Sequence, residues 1–549
     1  MDPFAPQPSF YREHAPWLVP LSVFLSTVVL TVFSFPPYHA AEYAYVFALP
    51  AIFWAYSRPR LKVFAWTMFA AQAVAWTVLL AWLRHVTWVG WLLLGPFVGA
   101  WVGVWYLAVW WAMPRFLGRA NPVRLAAQLG LAGAWVLVEW TRTWFITGFP
   151  WLPLAASQSL GKGTSVLQVA SFTGAYGVSF ILILVNIGFA AYAHRLFREH
   201  EKSLFQRRSQ EFMLSLLVLL GCLCLITVES KDRRLYQRTV ARIGFVQPDI
   251  PQTLKWNPAD APGIERTLTA LTRQAASGSD LVLWPESATP YGVRDDGATR
   301  AWVESLALQT HATLLIGTVQ SENAGTAREA WDDVAVVVAP DTGVQPETYA
   351  KRHLVPFGEY VPLRPLLGWI GKFVPLPGDP TPSSGPNPLV VRLPGGALAF
   401  GPLICYEDIF PGLARDSVRA GADILVVPTN DAWYGEEGAA YQHAASSVLR
   451  AVETRRPVLR CGNAGWSGWI DEYGGIRFVM TQGKGDSVYF RGAAAADVSR
   501  DIRWAGVQSF YVRHGDWFVL VSAGLVLFAL LLLRLEAALP RRGTPAPGR

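Results

Sequence analysis

Long apolar runs alternate with short polar segments over the first 228 residues of the chain, and one further apolar run lies near its C-terminus. A helix needs about 20 predominantly apolar residues to cross a bilayer. The pattern predicts eight such spans, at residues 17–35, 41–57, 61–83, 88–113, 123–140, 166–190, 211–228 and 517–533. The second run is short and contains Pro50, which makes its ends the hardest to place. We therefore expect a bundle of eight transmembrane helices.

Between the seventh and eighth runs the pattern changes to short apolar segments separated by turns and amphipathic stretches. It predicts strands at 242–246, 280–284, 313–319, 334–339, 398–404, 423–427, 458–461 and 466–470, and helices at 261–277, 411–421 and 439–455. Strands and helices that alternate in this way predict an α/β layered domain. The expected division is seven transmembrane helices over residues 1–228, a soluble domain over 229–516, and a last helix with a cytoplasmic tail over 517–549.

Composition and charge agree with a membrane protein. Apolar residues make up 52% of the chain and charged residues 16%, whereas soluble proteins carry about 25% charged residues. With a cytoplasmic N-terminus, the inner segments hold 16 Lys and Arg residues and the short outer loops hold three. The positive-inside rule then places both termini in the cytoplasm and the soluble domain on the outer face. The net charge of the chain is +7. The inner segments carry a net charge of +11, which leaves a net charge of −4 for the rest of the chain, including the soluble domain. We therefore expect no nucleic-acid partner.

Three reactive side chains lie in the soluble domain, where the ends of strands gather the reactive groups of such folds. Glu286 comes just after the second predicted strand, Lys351 lies in a polar turn, and Cys405 ends a strand and precedes Tyr406 and a helix. A strand-to-helix elbow exposes its nucleophile and offers backbone N–H groups to an oxyanion. Together the three side chains could supply a nucleophile, a base and an oxyanion partner.

Plainer interpretations of these residues stay open. A single Glu after a strand is usually a cap or a surface charge, and a single Lys is usually solvated. Cys405 and Cys461 are the two cysteines outside the predicted spans, and in an oxidising compartment a disulfide between them would block the thiol. Their spacing does not decide between a free thiol and a disulfide. The cysteines and histidines lack the spacing of a zinc site, so we expect neither a metal nor a cofactor.

Four sequence strings resemble those of the nitrilase, or carbon–nitrogen hydrolase, superfamily: WPES, KRHLVPFGEYVP, ICYEDIF and NDAWYG. The catalytic set of that superfamily is Glu, Lys and Cys in chain order, which the resemblance assigns to Glu286, Lys351 and Cys405. More narrowly, KRHLVPFGEYVP together with eight spans and the GFPWL segment is similar to the bacterial apolipoprotein N-acyltransferases. The resemblance implies an αββα sandwich on the periplasmic side of a bacterial inner membrane.

The implied activity moves a fatty acyl chain from a membrane phospholipid to the free α-amino group of the S-diacylglyceryl-cysteine of an apolipoprotein, the last step of lipoprotein maturation. Glu286 would take the proton of Cys405, whose thiolate would form a thioester with the acyl chain. Lys351 and the Tyr406 backbone N–H would stabilise the oxyanion. The implied partners are the phospholipid donor, the lipoprotein acceptor and the bilayer.

The resemblance also implies roles for four residues around this set. Glu359 would orient Lys351 or the incoming amine, although it could equally be a structural carboxylate bound to backbone N–H groups. Glu407, two residues after the nucleophile, is a supporting residue. Trp256 and Trp433 would line a tunnel for the acyl chain, unless both are ordinary core aromatics.

An apolar stretch after the GEYVP string is interpreted as a lid that dips into the membrane interface. It comprises Leu363, Leu366, Leu367, Trp369, Ile370 and Phe373. Two other functions stay open: a membrane-tethered nitrilase-type amidase that hydrolyses small C–N bonds, and a transporter or channel with a noncatalytic binding domain. A small soluble substrate would need neither eight spans nor an apolar lid, and the predicted spans are nearly free of the charges typical of transporters.

Overall fold

The chain before residue 230 folds into a series of helices in the computed structural model. The structure describes residues 17–38, 40–161, 164–198, 208–322, 326, 329–369, 382–483 and 485–538. The α-helices of this first part are α1 (Leu18–Phe33), α2 (Leu49–Ala55), α3 (Leu61–Leu79), α4 (Trp88–Phe116), α5 (Asn121–Thr141), α6 (Ala170–Thr173), α7 (Ala175–Arg198) and α8 (Gln210–Ser230).

Several of these helices are long and apolar enough to cross a membrane. Within the described residues the helices that meet this criterion are Leu61–Leu79, Trp88–Phe116, Ala175–Arg198, Gln210–Glu229 and Trp517–Leu535. Leu18–Phe33 and Ala41–Ala55 are apolar but shorter. The structure thus shows apolar helices in the predicted regions, while the number of eight crossings stays a prediction.

Two predicted spans differ from the helices in the structure. The span predicted at 41–57 is divided into a 3-10 helix at Ala41–Tyr45 and the short helix α2, which has Pro50 in its first turn. The span predicted at 166–190 becomes a continuous helix only from Ala175, because Gly174 interrupts the preceding helical turns with a φ of +70°. Hydropathy detected the apolar character of both segments but not these breaks in the backbone.

The strands lie between residues 237 and 501 and form two mixed sheets. They are β1 (Gln237–Gln247), β2 (Leu281–Leu283), β3 (Thr313–Glu322), β4 (Ala330–Ala339), β5 (Gly343–Ala350), β6 (Leu389–Leu393), β7 (Gly396–Pro402), β8 (Ile424–Thr429), β9 (Val458–Gly462), β10 (Gly468–Ile470), β11 (Ile476–Val479) and β12 (Gly492–Asp501). The first sheet has the order β12-β1-β2-β3-β4-β5 and the second the order β11-β10-β9-β8-β7-β6. In each sheet three neighbouring strands, β1 to β3 and β7 to β9, run parallel and antiparallel strands flank them.

Helices cover the sheets and complete the chain. They are α9 (Arg233–Tyr236), α10 (Gln252–Lys255), α11 (Ala261–Ala275), α12 (Gly297–Thr310), α13 (Arg364–Leu367), α14 (Pro411–Arg419), α15 (Ala439–Thr454), α16 (Phe510–His514) and α17 (Trp517–Ala538). Leu268 of α11 and Val303 of α12 lie in one buried cluster with Val282 of the first sheet. These amphipathic helices bury their apolar faces against that sheet.

The buried side chains form clusters that connect the two parts of the chain. Phe245 of the first sheet and Phe400 of the second belong to one shared cluster. Leu425 of the second sheet and Val448 of α15 lie in a different cluster, which also contains Trp135 of helix α5. The second sheet and α15 therefore share a continuous apolar core with the N-terminal helices, and such continuity disfavours independent movement of the two parts.

Each predicted strand and helix of the α/β region has a counterpart in the structure, with ends that differ by a few residues. The α-helices and strands of this region that were not predicted are helix α12, the short helices α9, α10, α13 and α16, and strands β5, β6, β11 and β12. Strand β12 has the sequence GAAAADVSRD, and alanine has a low preference for strands. It becomes a strand because it pairs antiparallel with β1 over its whole length, a contact between segments about 250 residues apart.

Candidate active site

Cys405 lies at a sharp turn between strand β7 and the 3-10 helix Cys405–Ile409. Its backbone has a φ of +52°, in the left-handed region that residues other than glycine rarely adopt. Such strained conformations persist where the surrounding structure holds them, and they concentrate at functional sites. The turn agrees with the predicted elbow and places the backbone N–H of Tyr406 at the start of the 3-10 helix.

Glu407 connects this elbow to the segment that carries Lys351. One of its carboxylate oxygens accepts hydrogen bonds from the Ile404 backbone N–H and the Tyr349 hydroxyl, both at 2.7 Å. The other oxygen accepts a 2.6 Å hydrogen bond from the Arg352 backbone N–H. Burial raises the pKa of the Glu407 carboxyl, and these hydrogen bonds oppose the rise. Glu407 is thus a structural link that fixes the position of Lys351 relative to the elbow.

Lys351 is buried among three carboxylates. Its Nζ atom lies 2.9 Å from Glu286 Oε1, 2.6 Å from Glu359 Oε1 and 3.6 Å from Asp333 Oδ2. Burial lowers the pKa of Lys351, but the carboxylates outweigh it and raise that pKa well above its usual value. The carboxylate oxygens lie within 4.8 Å of one another, a spacing that could hold a metal ion. The ammonium group of Lys351 occupies the place that such a cation would take.

Glu359 contacts both Lys351 and the backbone, so its two interpretations stay predictions. Its Oε1 atom accepts the hydrogen bond from Lys351, and its Oε2 atom accepts a 2.8 Å hydrogen bond from the Val355 backbone N–H. Asp333 was not among the predicted site residues; it accepts a hydrogen bond from the Ser287 hydroxyl. Nothing in the local pattern of β4 distinguishes Asp333 from the neighbouring Asp332, since its position depends on how β4 and β5 pair.

The Cys405 thiol is buried, and its surroundings on balance disfavour the thiolate. Burial raises the pKa of this thiol well above its usual value, the Glu286 carboxylate raises it further, and the Lys351 ammonium opposes the rise. The Asn430 backbone N–H also favours the thiolate. A thiol in this environment needs a base to become a nucleophile, and Glu286 is the neighbouring carboxylate.

The structure does not contain the disulfide that the sequence left open. Cys405 and Cys461 are both free. The Cys461 thiol donates 3.3 Å hydrogen bonds to the carbonyl oxygens of Val246 and Leu283 in the first sheet. Cys461 is therefore a buried packing residue between the two sheets, and burial raises its pKa to about 12.

Trp256 and Trp433 are not core aromatics, because 53% and 48% of their surfaces are exposed. Trp256 follows Lys255, whose buried ammonium donates a 3.1 Å hydrogen bond to the Glu286 carbonyl oxygen. Trp433 lies in the 3-10 helix that follows Asn430, the residue whose N–H faces the thiol. Both indoles are thus carried by segments that contact the candidate site while remaining accessible from outside.

Three of the four described residues of the predicted lid are exposed, and the fourth, Leu367, is partly buried. Leu363, Leu366 and Trp369 expose 57%, 73% and 60% of their surfaces. Ile370 and Phe373, which were predicted to belong to the same lid, lie outside the described residues. Large apolar side chains exposed together are typical of surfaces that meet a membrane or another protein.

The elbow also contacts the loops that connect the N-terminal helices. The Tyr406 hydroxyl donates a 3.2 Å hydrogen bond to the carbonyl oxygen of Gly148 in the GFPWL segment. Gln442 of α15 accepts hydrogen bonds from the indole N–H groups of Trp82 at 3.0 Å and Trp151 at 2.9 Å. The candidate nucleophile therefore lies at the junction of the α/β region with the N-terminal helices.

Comparison with known proteins identifies the family and the fold of the α/β region. The family model for carbon–nitrogen hydrolases matches residues 242–509, and the model for the apolipoprotein N-acyltransferase N-terminal domain matches residues 27–188. Among solved structures, an amidase from Nesterenkonia sp. aligns with 50% of this chain and 93% of its own at 17% identity and a TM-score of 0.37. The fold of the α/β region is nitrilase-like, and the chain is an enzyme of the carbon–nitrogen hydrolase superfamily.

Curated relatives narrow the assignment. An apolipoprotein N-acyltransferase from Geobacter metallireducens is 33% identical over 443 residues, which cover 78% of this chain and 79% of the relative. A protein of the same name from Caulobacter vibrioides is 31% identical over 438 residues, covering 74% of this chain and 79% of the relative. The chain belongs to the apolipoprotein N-acyltransferase family. The resemblance found in the sequence is thereby confirmed, and a transporter or channel is excluded as the main function.

Proposed function

We propose that this chain transfers a fatty acyl chain from a membrane phospholipid, through a thioester on Cys405, to the free α-amino group of the S-diacylglyceryl-cysteine of an apolipoprotein. The proposed catalytic residues are Glu286, Lys351 and Cys405. The observation that supports it most is the contact of the elbow with the membrane helices through Tyr406 and Gly148. Substrates held in a bilayer can reach a thiol at that junction, whereas a small soluble amide would gain nothing from it.

In the first half-reaction Glu286 takes the proton of the Cys405 thiol, and the thiolate attacks the ester carbonyl carbon of the phospholipid. The Lys351 ammonium and the Tyr406 backbone N–H stabilise the oxyanion that forms. The C–O bond then breaks, the alkoxide of the lysophospholipid takes the proton back from Glu286, and the acyl group remains on the sulfur as a thioester.

In the second half-reaction the α-amino group of the lipoprotein attacks the thioester carbonyl carbon, and the same two donors hold the oxyanion. The C–N bond forms and the C–S bond breaks. Glu286 takes the proton that the amine loses and returns it to the sulfur, which restores the thiol. The thioester lasts between the half-reactions only if water is excluded, a task that suits the exposed apolar residues beside the site.

The wider arrangement is part of the same proposal. We propose that eight helices cross a bacterial inner membrane, that both termini face the cytoplasm and that an αββα sandwich faces the periplasm. The corresponding parts are residues 1–228, 229–516 and 517–549. The apolar helices, the helices packed on the mixed sheets and the excess of basic residues in the inner loops support it. Trp256 and Trp433 would line the path of the acyl chain, where their exposed indoles can contact it.

The experiment is acyl transfer from labelled phospholipid to the full-length protein in vesicles. We expect a labelled protein that loses its label in neutral hydroxylamine, which cleaves thioesters. The Cys405→Ala variant should remain unlabelled, and Cys461→Ala, the matched control at the second buried thiol of the α/β region, should be labelled like the wild type. A diacylglyceryl lipopeptide with a free α-amino group should then remove the label, and its N-acetylated form should not.

Other outcomes would contradict the proposal. A label that persists on Cys405→Ala would show that the acyl group is carried elsewhere. Hydrolysis of small amides by the wild type, without labelling from phospholipid, would favour the alternative of a membrane-tethered nitrilase-type amidase that uses the same three residues.

A further inference from the structure

A buried ring of four charged side chains lies directly behind the Cys405–Tyr406 peptide, and the mechanism above does not use it. His443 Nδ1 lies 2.8 Å from Asp431 Oδ1, and His443 Nε2 lies 2.9 Å from Asp408 Oδ1. Arg460 closes the ring, with Nη1 2.9 Å from Asp408 Oδ2 and Nη2 3.1 Å from Asp431 Oδ2. All four side chains are buried. Charges this deep persist only when they are paired, as these are.

The ring fixes the protonation state of His443. Each of its ring nitrogens faces a carboxylate, and Nε2 also lies 3.1 Å from the Cys405 carbonyl oxygen. Carboxylate and carbonyl oxygens only accept hydrogen bonds, so both ring nitrogens must carry a proton. Burial and Arg460 lower the pKa of His443, but Asp408 and Asp431 outweigh them and raise it to about 9. The ring thus contains two cations and two anions and has no net charge.

The ring joins the two segments that flank the thiol. Asp408 belongs to the 3-10 helix that begins at Cys405. Asp431 comes directly after Asn430, whose backbone N–H faces the sulfur. His443 contacts both carboxylates from helix α15, the helix that binds the membrane-side indoles through Gln442. A shift of either segment would separate buried charges, and this cost holds the site in one arrangement.

The contact with the Cys405 carbonyl oxygen has a chemical consequence. That carbonyl and the Tyr406 N–H are the two ends of one peptide unit, and a cation bound to the oxygen draws electron density from the nitrogen. Hydrogen bonds in such chains polarise one another and become stronger. An imidazolium at the carbonyl therefore makes the Tyr406 N–H a stronger donor and fixes its direction.

We propose that His443 is a positioning residue for acyl transfer: its imidazolium holds and polarises the Cys405–Tyr406 peptide so that the Tyr406 N–H stabilises the oxyanion. This inference rests on the proposed function, because it assumes that an ester or thioester carbonyl is attacked at Cys405. His443 itself does not touch the substrate. It acts at the carbonyl end of the peptide, opposite the N–H, through a hydrogen bond that also supports the left-handed conformation of Cys405.

The test compares two reactions of the same thiol. Single-turnover thioester formation from phospholipid passes through an oxyanion, whereas alkylation of Cys405 by iodoacetamide does not. The double variant His443→Leu/Asp431→Asn removes the contact and keeps the ring neutral. We expect thioester formation to fall about 10- to 100-fold, since loss of a whole oxyanion donor costs about 100- to 1,000-fold, while alkylation changes less than about 3-fold. His443→Gln/Asp431→Asn, which restores a neutral donor, should recover part of the rate.

Ser447→Ala is the matched control. It removes a 2.5 Å hydrogen bond to Asp408 from the same helix but leaves the contact of His443 with Cys405, so the ratio of the two rates should equal that of the wild type. An equal fall of both rates in the Leu variant, or no fall in either, would overturn the proposal. Failure of the wild type itself to form a thioester would instead contradict the proposed function, so the two failures are distinguishable.

A second measurement needs no variant and stays decisive if the Leu variant does not fold. Full-length protein labelled with 15N at histidine should show one buried imidazolium, with both ring N–H protons protected from exchange, at the pH of the transfer assay. Absence of such a signal would mean that His443 is neutral, which would overturn the proposal.

Discussion

The Nζ atom of Lys351 lies closer to Oε1 of Glu359, at 2.6 Å, than to Oε1 of Glu286, at 2.9 Å. The other oxygen of Glu359 is held by the Val355 backbone N–H. Glu359 therefore anchors the ammonium group to the backbone, which leaves Glu286 able to exchange a proton with Cys405 without releasing Lys351. A buried lysine with a single carboxylate partner would lose its only counter-charge whenever that carboxylate became protonated.

This anchor predicts a pH dependence of the reaction. Burial raises the pKa of Glu359 to about 7, although Lys351 opposes the rise. As the pH falls through about 7, Glu359 becomes protonated and Lys351 loses its nearest anion, so the rate of thioester formation should fall on the acid side. Glu359→Gln should be slower by roughly 10-fold or more and should lack this acid limb. The measurement is the pH profile of single-turnover thioester formation.

The control for that profile is Glu347→Gln, an exposed position on the same strand-and-turn segment, which should keep the wild-type profile. An unchanged acid limb in Glu359→Gln would contradict the role of Glu359 as the anchor of Lys351.

The stability of the fold depends on pH in the opposite direction to the rate. Because the pKa of Glu359 is higher in the folded state, its contribution to the free energy of unfolding is present at acid pH and is lost as the pH rises through about 7.

A second prediction concerns the hydrogen bonds by which Gln442 connects the N-terminal helices to the α/β region. The oxygen of Gln442 accepts two indole hydrogen bonds, and its nitrogen donates to the carbonyl oxygens of Pro36 at 3.2 Å and Leu79 at 2.9 Å. Gln442→Ala leaves these buried groups unpaired, so we expect a loss of about 3 kcal/mol or more in the free energy of unfolding. Gln309→Ala, on the exposed face of α12, should cost less than about 0.5 kcal/mol. Equal thermal unfolding of the two variants would contradict the prediction.

A third prediction separates lining residues from core residues. Trp256→Ala and Trp433→Ala should each change the free energy of unfolding by less than about 1 kcal/mol, because both indoles are half exposed. Their effect should be a several-fold higher KM for phospholipid. Trp151→Ala, by comparison, removes a side chain that is 2% exposed and should cost about 3 kcal/mol or more. Strong destabilisation by the first two variants would favour a core role instead.

A fourth prediction concerns the second thiol. Both thiols are buried and have raised pKa values, but Cys405 has the Glu286 carboxylate beside it as a base, whereas the Cys461 thiol forms its hydrogen bonds to backbone carbonyl oxygens. Iodoacetamide should therefore modify Cys405 in the native protein and Cys461 only after unfolding. Cys461→Ala should keep the rate of thioester formation within about 2-fold of the wild type. Mass spectrometry under nonreducing conditions identifies the modified cysteines, and single-turnover kinetics measures the rate. A peptide with a Cys405–Cys461 disulfide would contradict the proposed site.

The sequence alone was sufficient to predict the apolar helices, the α/β region and the family. Apolar length and periodicity are local properties, because the bilayer thickness and the two faces of a helix or strand are reflected in residues close together in the chain. Glu286, Lys351 and Cys405 could be found for the same reason: each follows a strand or lies in a string that carries its own signal. The breaks at Ala41–Tyr45 and Gly174 were missed because average hydropathy does not depend on backbone angles.

The tertiary structure decided which of these residues meet. Asp333 joins Lys351 because the consecutive strands β4 and β5 pair. Cys461 contacts the first sheet instead of Cys405, and the alanine-rich segment Gly492–Asp501 becomes a strand, both through contacts between segments distant in the chain. His443 reaches the carbonyl oxygen of Cys405 across 38 positions in the sequence. These arrangements depend on packing between elements, and local sequence preferences do not encode such packing. The sequence around a polar residue in a helix looks the same whether its side chain faces water or a buried peptide group.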